Sequence, residues 1–510
     1  MKRIVMTLIS VFFIFITPVL AQDQTKQLVI AVGAETTTLD VHNTRANTDE
    51  NIGWYMFETL VSRNNPKLEV TPSLATDWKI SEDGLIWTFN LKKEVLFHDG
   101  TPFNAEAVKV TFDRLLNPEV RCIKSGLFSF VEHVDIIDSH TVAFKLKFPF
   151  AAFLAHLAHP GAGIISPTSL EKYGKDIDKH PVGTGPYTLK AWNTGVNVIL
   201  ERNPAYHGSK PSFETVIFKT VREDAARIMQ IESGEADLAI GIPPIEAERL
   251  AKNSKFQIIR TPTNRIICVG MNQKKTPFDD VRVRQALNYA VNKQEIIDTI
   301  LNGYGTESDS VLAPLTWGYT PGFRYEYNPQ KAKQLLKEAG IAPGTKIEIR
   351  TPQGRYLSDT EIAEAVQGYL MAIGLDVSLK VMEWGAFLGS ITKPEKEADH
   401  QLFLLGLLPS TADADWLLGG TSTCDAIPPT GFNVSYFCNQ EFDDLVKKAQ
   451  QTINPKERLT LYDKAQAIYR AEAPIIFINV MEYIIVGKKN LGGVVASPLE
   501  YLFTWDAYRK

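Results

Sequence analysis

The sequence predicts an α/β fold, and three observations carry that expectation. Strand-like runs at 256–259, 346–349, 377–381 and 402–408 alternate with helical patterns at 281–301, 330–338, 358–373 and 440–451, the rhythm of helices laid over a sheet. The run 402–408 is unbroken in apolar residues and closed by Pro409, which reads as a strand buried on both faces of a parallel sheet. The third observation is size: 510 residues, 44% of them hydrophobic, are enough for large ordinary cores in two or three domains.

Charge excludes one class of function. The net charge is -5, and lysines and arginines are spread evenly instead of gathering on a basic face, so the chain is not expected to bind nucleic acid.

At the N-terminus, Met1, Lys2 and Arg3 precede an apolar stretch from Ile4 to Ile16, then Pro18 and the small-residue end Val19, Leu20, Ala21. This is the pattern of a cleaved secretory signal peptide over residues 1–21. The apolar stretch is too short to span a bilayer of roughly 30 Å as a helix. No cysteine follows the cleavage site, so no lipid anchor is expected and the mature chain should diffuse freely, most simply in a periplasm.

Four cysteines suit an oxidising compartment without forming a disulfide scaffold. Cys424 and Cys438 enclose a loop with Pro428, Pro429 and Gly431 and are spaced to staple it, although spacing alone does not fix connectivity. Cys268, inside the apolar run Ile266, Ile267, Cys268, Val269, reads as a buried thiol, and Cys122 has no evident partner.

Along the mature chain, residues 28–32 form an apolar strand and Gly33 to Asp40 a turn-rich loop. Trp87 to Leu91 alternates as a half-exposed strand. His98, Asp99 and Gly100 make a turn, and Asn104 begins a helix with apolar residues near a 3.6 period. Gly340 fits a helix C-cap, with Pro343 and Gly344 breaking the chain before the next strand.

The segment from Thr71 to Pro118 resembles the signature region of the family 5 extracellular solute-binding proteins, the periplasmic receptors of peptide, glutathione and nickel importers. Further pieces extend the resemblance across nearly the whole mature chain: Pro181 to Tyr187 with Trp192 and Asn203 to Tyr206, the run Met271 to Leu287, Asn328 and Pro329 with Ala332 to Leu336, and Glu383 with Trp384. The resemblance implies a two-lobed periplasmic binding protein (class II, cluster C type) with an extra subdomain and a hinge of two chain crossings. Lobe I would comprise 22–60, 190–268 and 483–510, the subdomain 61–189, and lobe II 272–482. It also implies a monomer without cofactor that closes on a small peptide and delivers it to the permease subunits of an ABC importer in the inner membrane. Contacts from both lobes are needed, because closure is driven only by free energy gained in the closed state.

The loop after 402–408 carries Ser410, Thr411, Asp413 and Asp415, a polar stretch at the carboxyl end of a strand, where open α/β sheets place ligands. In peptide receptors of the family, an aspartate in this loop pairs with the peptide amine. Ser410 occupies that position here. Asp413 and Asp415 match acidic positions downstream and read either as ligand contacts or as helix caps. The pattern 413–416 followed by Pro428, Pro429, Thr430, Phe432 and Asn433 is more similar to glutathione-binding members than to dipeptide receptors. Arg355, between a strand and a helix, resembles the family's carboxylate-binding arginine, its fork of donors suiting a bidentate bond; the plainer reading is a solvated loop charge. Tyr356, Trp384 and Trp416 are candidate pocket walls or ordinary core. Thr36, Thr37, Thr38 and Asp40 are candidates from the first lobe, mainly by family position.

A secreted hydrolase is the contrasting hypothesis. No Gly-x-Ser-x-Gly elbow and no His-Glu-x-x-His pair occurs. His156 and His159 have spacing for one helical face but no flanking ligand, and Gly183 and Gly185 lack the rest of a dinucleotide loop. A receptor for a nickel complex, haem or sugar on the same fold is a further alternative, since fold does not fix ligand.

Overall fold

The structure is a computed structural model that describes residues 26–510; the expected signal peptide lies outside the described residues. An eleven-stranded mixed sheet runs through the molecule. Its order is Asp376–Met382, Lys346–Pro352, Leu402–Leu407, Phe256–Met271, Ile475–Lys488, Leu238–Ile240, Gln27–Val32, Thr215–Thr220, Asn197–Arg202 and Tyr187–Asn193, with Thr306–Glu307 paired to Ile475–Lys488 off this path.

Two long antiparallel strands, Phe256–Met271 and Ile475–Lys488, join the two halves of the sheet. The ladder between them is interrupted between Pro262 and Ile266. Proline cannot donate to a ladder, so an irregularity is expected there. Burial changes at the same place: from Thr263 onward the first of the two strands is continuously buried. At Gly270 a Cβ would lie 2.1 Å from the Phe403 ring on the neighbouring strand, so only glycine admits this approach.

The strand expected at 402–408 is present as Leu402–Leu407 and buried over its first four residues. Its surroundings correct the expectation of a purely parallel sheet. It runs parallel to Lys346–Pro352 but antiparallel to Phe256–Met271. An apolar run records burial and is blind to the direction of its neighbours.

The apolar faces gather into separate cores. Residues between Leu60 and Ile164 form one around the antiparallel sheet Ala75–Ile80, Ile86–Leu91, Thr141–Leu146, Val131–Asp138. Phe112, on the helix Ala105–Leu116, packs edge-on against Phe144 with ring centroids 4.8 Å apart. Asn104 caps that helix by accepting from the Ala107 amide. The strands around Gln27–Val32 have their own core, and a further large one fills the space under Lys346–Pro352 and Leu402–Leu407.

The helical pattern at 281–301 is divided into Val281–Ala290 and Lys293–Thr299. Asn292 breaks it, because its side chain accepts from the Glu295 amide and so starts a second helix. Gly340 takes φ +76° just after Pro329–Glu338, as a C-cap glycine should. Cys424 and Cys438 form a disulfide with Cα atoms 4.6 Å apart, while Cys122 and Cys268 are free and buried. Among the described residues, no helix is long and apolar enough to cross a membrane.

Candidate functional site

The chain leaves Leu402–Leu407 into a tight turn in which the Ala412 amide donates to the Pro409 carbonyl and Ala412 has φ +53°. Trp317 clamps this turn: its amide donates to the Ala412 carbonyl and its own carbonyl accepts from Ala414. Asp413 then starts the helix Ala414–Ser422, with Oδ1 accepting from the Asp415 amide. The same carboxylate takes two bonds from Arg458, Nη1 to Oδ2 at 2.9 Å and Nη2 to Oδ1 at 2.6 Å. Of the two readings the sequence left open, the cap is therefore occupied in Asp413.

Asp415 is buried, and its Oδ2 lies 3.7 Å from His156 Nε2. Burial alone would raise its pKa, but the His156 contact, with Arg458 and Gln450 behind it, leaves the pKa lowered. Trp416 is half-buried beside it, its ring parallel to that of His159 at 6.5 Å. His156 and His159 thus sit against Asp415 and Trp416. Among the described residues no group of three or more His, Cys, Asp or Glu could hold a metal.

Ser410 and Thr411 differ from these acids. The Oγ atoms of both are buried, and among the described residues neither has a hydrogen-bond partner. Buried hydroxyls without partners cost free energy, of the order of 1–3 kcal/mol each, unless something else satisfies them.

Arg355 is presented by the turn after Lys346–Pro352. Asp359 organises that turn, accepting from the amides of Gly354 (3.1 Å), Arg355 (2.8 Å) and Tyr356 (3.0 Å). The Arg355 side chain is exposed, with its guanidinium 5.1 Å from the ring centroids of both Tyr356 and Trp384. It has no ion-pair partner among the described residues. Tyr356 is buried and points its hydroxyl at the Gly406 carbonyl, 3.4 Å away. Arg355, Tyr356 and Trp384 are therefore brought together.

Arg355 and Tyr356 line a cavity of about 550 Å³. Its walls come from both halves of the sheet: Arg227 and Gly241 on one side, Arg355 and Tyr356 on the other, and Arg265, Glu482 and Glu500 between. Arg265 is held by Glu500 through Nε–Oε1 at 2.7 Å and Nη2–Oε2 at 2.8 Å. Although Arg355 is exposed at the open rim of the cavity, the protein wall behind its guanidinium and then the charge of Arg265 lower its pKa. A carboxylate would offset the repulsion between the two guanidiniums.

Thr37 and Thr38 do not line this cavity. Thr37 gives its amide and hydroxyl to Asp49, and Thr38 Oγ1 accepts from the Asp40 amide. Asp40 itself is paired with Arg114, with Nη1 to Oδ1 at 3.1 Å. Sequence reasoning missed Arg265 and Glu500. A lone arginine leading into the apolar run 266–269 was a signal for the first, whereas Glu500, far away in the chain, carried none.

Three comparisons place these observations among known proteins. The sequence signature of the bacterial extracellular solute-binding proteins, family 5 middle, matches residues 69–428. Among curated relatives, the glutathione-binding protein GsiB of Salmonella choleraesuis (strain SC-B67) is 34% identical over 476 residues, 93% of this chain and 92% of that protein. Among solved structures, the periplasmic binding protein DppA from Helicobacter pylori in complex with the peptide STSA superposes with a TM-score of 0.82 at 29% identity, covering 95% of this chain and 98% of that one. The dipeptide binding protein from Pseudoalteromonas sp. SM9913 in complex with Met-Leu gives 0.84 at 27% identity, over 95% and 100% of the two chains.

Proposed function

This chain belongs to the family 5 bacterial extracellular solute-binding proteins, and from that premise we propose that it captures short peptides, glutathione among them, and delivers them to the permease of an ABC importer. The relatives named above bind glutathione or peptides, and the cleft here has the chemistry for such a ligand. The observation that carries the reading is Arg355: a guanidinium without an ion-pair partner among the described residues, at a cavity walled from both halves of the sheet. A peptide carboxylate supplies the missing partner in a bidentate bond.

Arg355, Tyr356, Trp384, Ser410 and Thr411 contact the ligand. Asp413, Asp415 and Trp416 support the loop, and Thr37 and Thr38 hold the frame around Asp49 and Asp40. The lobes divide as 22–60, 190–268 and 483–510 against 272–482, with 61–189 as the subdomain, and Phe256–Met271 with Ile475–Lys488 as the two crossings. Closure then requires ligand contacts on both sides of these strands. No covalent chemistry is assigned to the chain. Residues 1–21 direct it to a periplasm, where it acts as a free monomer.

The test is a thermal-shift and calorimetric screen of the mature chain against dipeptides, longer peptides, reduced and oxidised glutathione, and nickel with histidine. A ligand at a hundred times its Kd adds about 2.7 kcal/mol to the folded state, visible as a shift of a few degrees. Stabilisation by a peptide or glutathione, lost in Arg355→Ala, supports the reading. Silence from all peptides with a response to nickel–histidine would overturn it.

A further inference from the structure

A second cavity, of about 220 Å³, lies beside the first. Trp54, Tyr206, Tyr501 and Trp505 give it aromatic walls, and Glu58 and Arg63 are its charged residues. The segment 499–501 separates the two spaces: Glu500 lines the Arg355 cavity, whereas Leu499 and Tyr501 line this one. It also borders the ligand loop, since Leu68, Leu499 and Tyr501 cluster with Ala412, and Arg63 Nη2 donates to the Thr411 carbonyl.

The polar atoms around this cavity are incompletely used. Trp54 Nε1, Arg63 Nε and Asn65 Oδ1 are buried, and among the described residues none has a partner. Arg63 spends its Nη atoms on the carbonyls of Leu68, Ala155 and Thr411, all neutral acceptors. Asp413, the first acid whose charge acts on Arg63, already gives both carboxylate oxygens to Arg458. Burial lowers the Arg63 pKa to about 10, which leaves it cationic at neutral pH. Glu58, also at this cavity, accepts through Oε2 from Thr184 Oγ1 and His207 Nε2, both at 2.8 Å, and the Tyr206 side chain bonds to it as well. A carboxylate has about four acceptor sites, one more than these three partners use.

A guanidinium without a carboxylate, a carboxylate with acceptor capacity left, and aromatic walls in a space this small match an α-amino acid head, in which ammonium and carboxylate sit on one carbon. We propose that this cavity receives such a head, with Arg63 binding its carboxylate and Glu58 its ammonium. The proposal rests on the peptide reading above and narrows it: the preferred substrates are peptides that keep a free α-amino and a free α-carboxyl group on the same residue, as a γ-linked glutamyl residue does and an ordinary N-terminal residue does not. It also supplies an amine anchor in a protein whose ligand loop has Ser410 and no aspartate at that position.

Calorimetric titration of the mature chain with glutathione, its α-linked isomer, glutathione amidated at the glutamyl α-carboxyl, and alanyl-alanine tests this. The wild-type protein is expected to bind glutathione at least tenfold more tightly than the isomer or the amide. Arg63→Gln should weaken glutathione by tenfold or more and leave the amide unchanged, and Glu58→Gln should weaken glutathione and leave its N-acetyl derivative unchanged. Equal losses for all four ligands in Arg63→Gln would show Arg63 to be only a tether to Thr411 and overturn the proposal. Equal affinities of the wild-type chain for glutathione, isomer and amide overturn it without any variant. Binding of alanyl-alanine but not glutathione sinks this inference alone, whereas binding of none of the four sinks the peptide reading with it.

Discussion

Asp413 and Arg458, 45 residues apart, meet in a buried bidentate pair, and the Arg458 guanidinium lies 4.3 Å from the Trp317 ring centroid. The pair fixes the turn that carries Ser410 and Thr411, because Asp413 also caps the next helix and Trp317 also clamps the turn.

Removing one partner of a buried pair strands the other charge, at a cost of about 3–5 kcal/mol. Asp413→Ala and Arg458→Met should each lower stability by that order. The double variant should lose clearly less than the sum of the two, because no charge is left unpaired. Urea unfolding of the three variants measures this, and strict additivity would contradict it.

Arg355 behaves oppositely in the unliganded protein, because its side chain is exposed and in no ion pair among the described residues. Arg355→Ala should leave the melting temperature of the ligand-free protein within a degree or two. Peptide affinity should fall by roughly 10- to 100-fold, the scale of a lost hydrogen bond to a charged group. Comparing melting curves with titrations separates the two effects.

Acid should destabilise the fold through histidines buried as neutral rings. His42 donates through Nε2 to the Gly163 carbonyl while Nδ1 accepts from Arg114, and His400 Nε2 meets the Val434 carbonyl. Burial lowers both from the ordinary 6.5 to about 4. For a lowered histidine, the unfolded chain takes up the proton first. The stability is therefore complete above pH 6.5 and is lost as pH falls towards about 4, by roughly 3 kcal/mol for each ring. Denaturant unfolding at pH 7.5, 6 and 5 should show a steady decline, and constant stability over that range would contradict it.

The disulfide ties the end of the helix Ala414–Ser422 to the start of Gln440–Gln451. Closing a loop with a sequence separation of 14 removes chain entropy from the unfolded state, about 3 kcal/mol in that picture. The double variant Cys424→Ser, Cys438→Ser should unfold at correspondingly lower urea, with Cys122 and Cys268 unreactive to thiol reagents until unfolding because both are buried.

Much of this fold is readable from local pattern. The strands at 28–32, 346–349, 377–381 and 402–408 and the Asn104 and Gly340 caps follow from burial periodicity or turn chemistry, which act over a few residues; spacing made Cys424 and Cys438 candidates for a staple, and the fold decided the pairing. The family resemblance added the architecture and the position of Arg355. What local pattern could not supply was direction and partnership. The strand Leu402–Leu407 looks the same in sequence whether its neighbours run with it or against it. Arg265 finds Glu500 across 235 residues, and Asp413 finds Arg458 across 45. Among the described residues Arg63 is left without such a partner by the same folding that gives the others theirs. Sequence determines which residues are buried and where elements begin and end, because those are short-range properties of chain and solvent. Which charges are neutralised, and which are left facing a cavity, is decided only when distant segments meet.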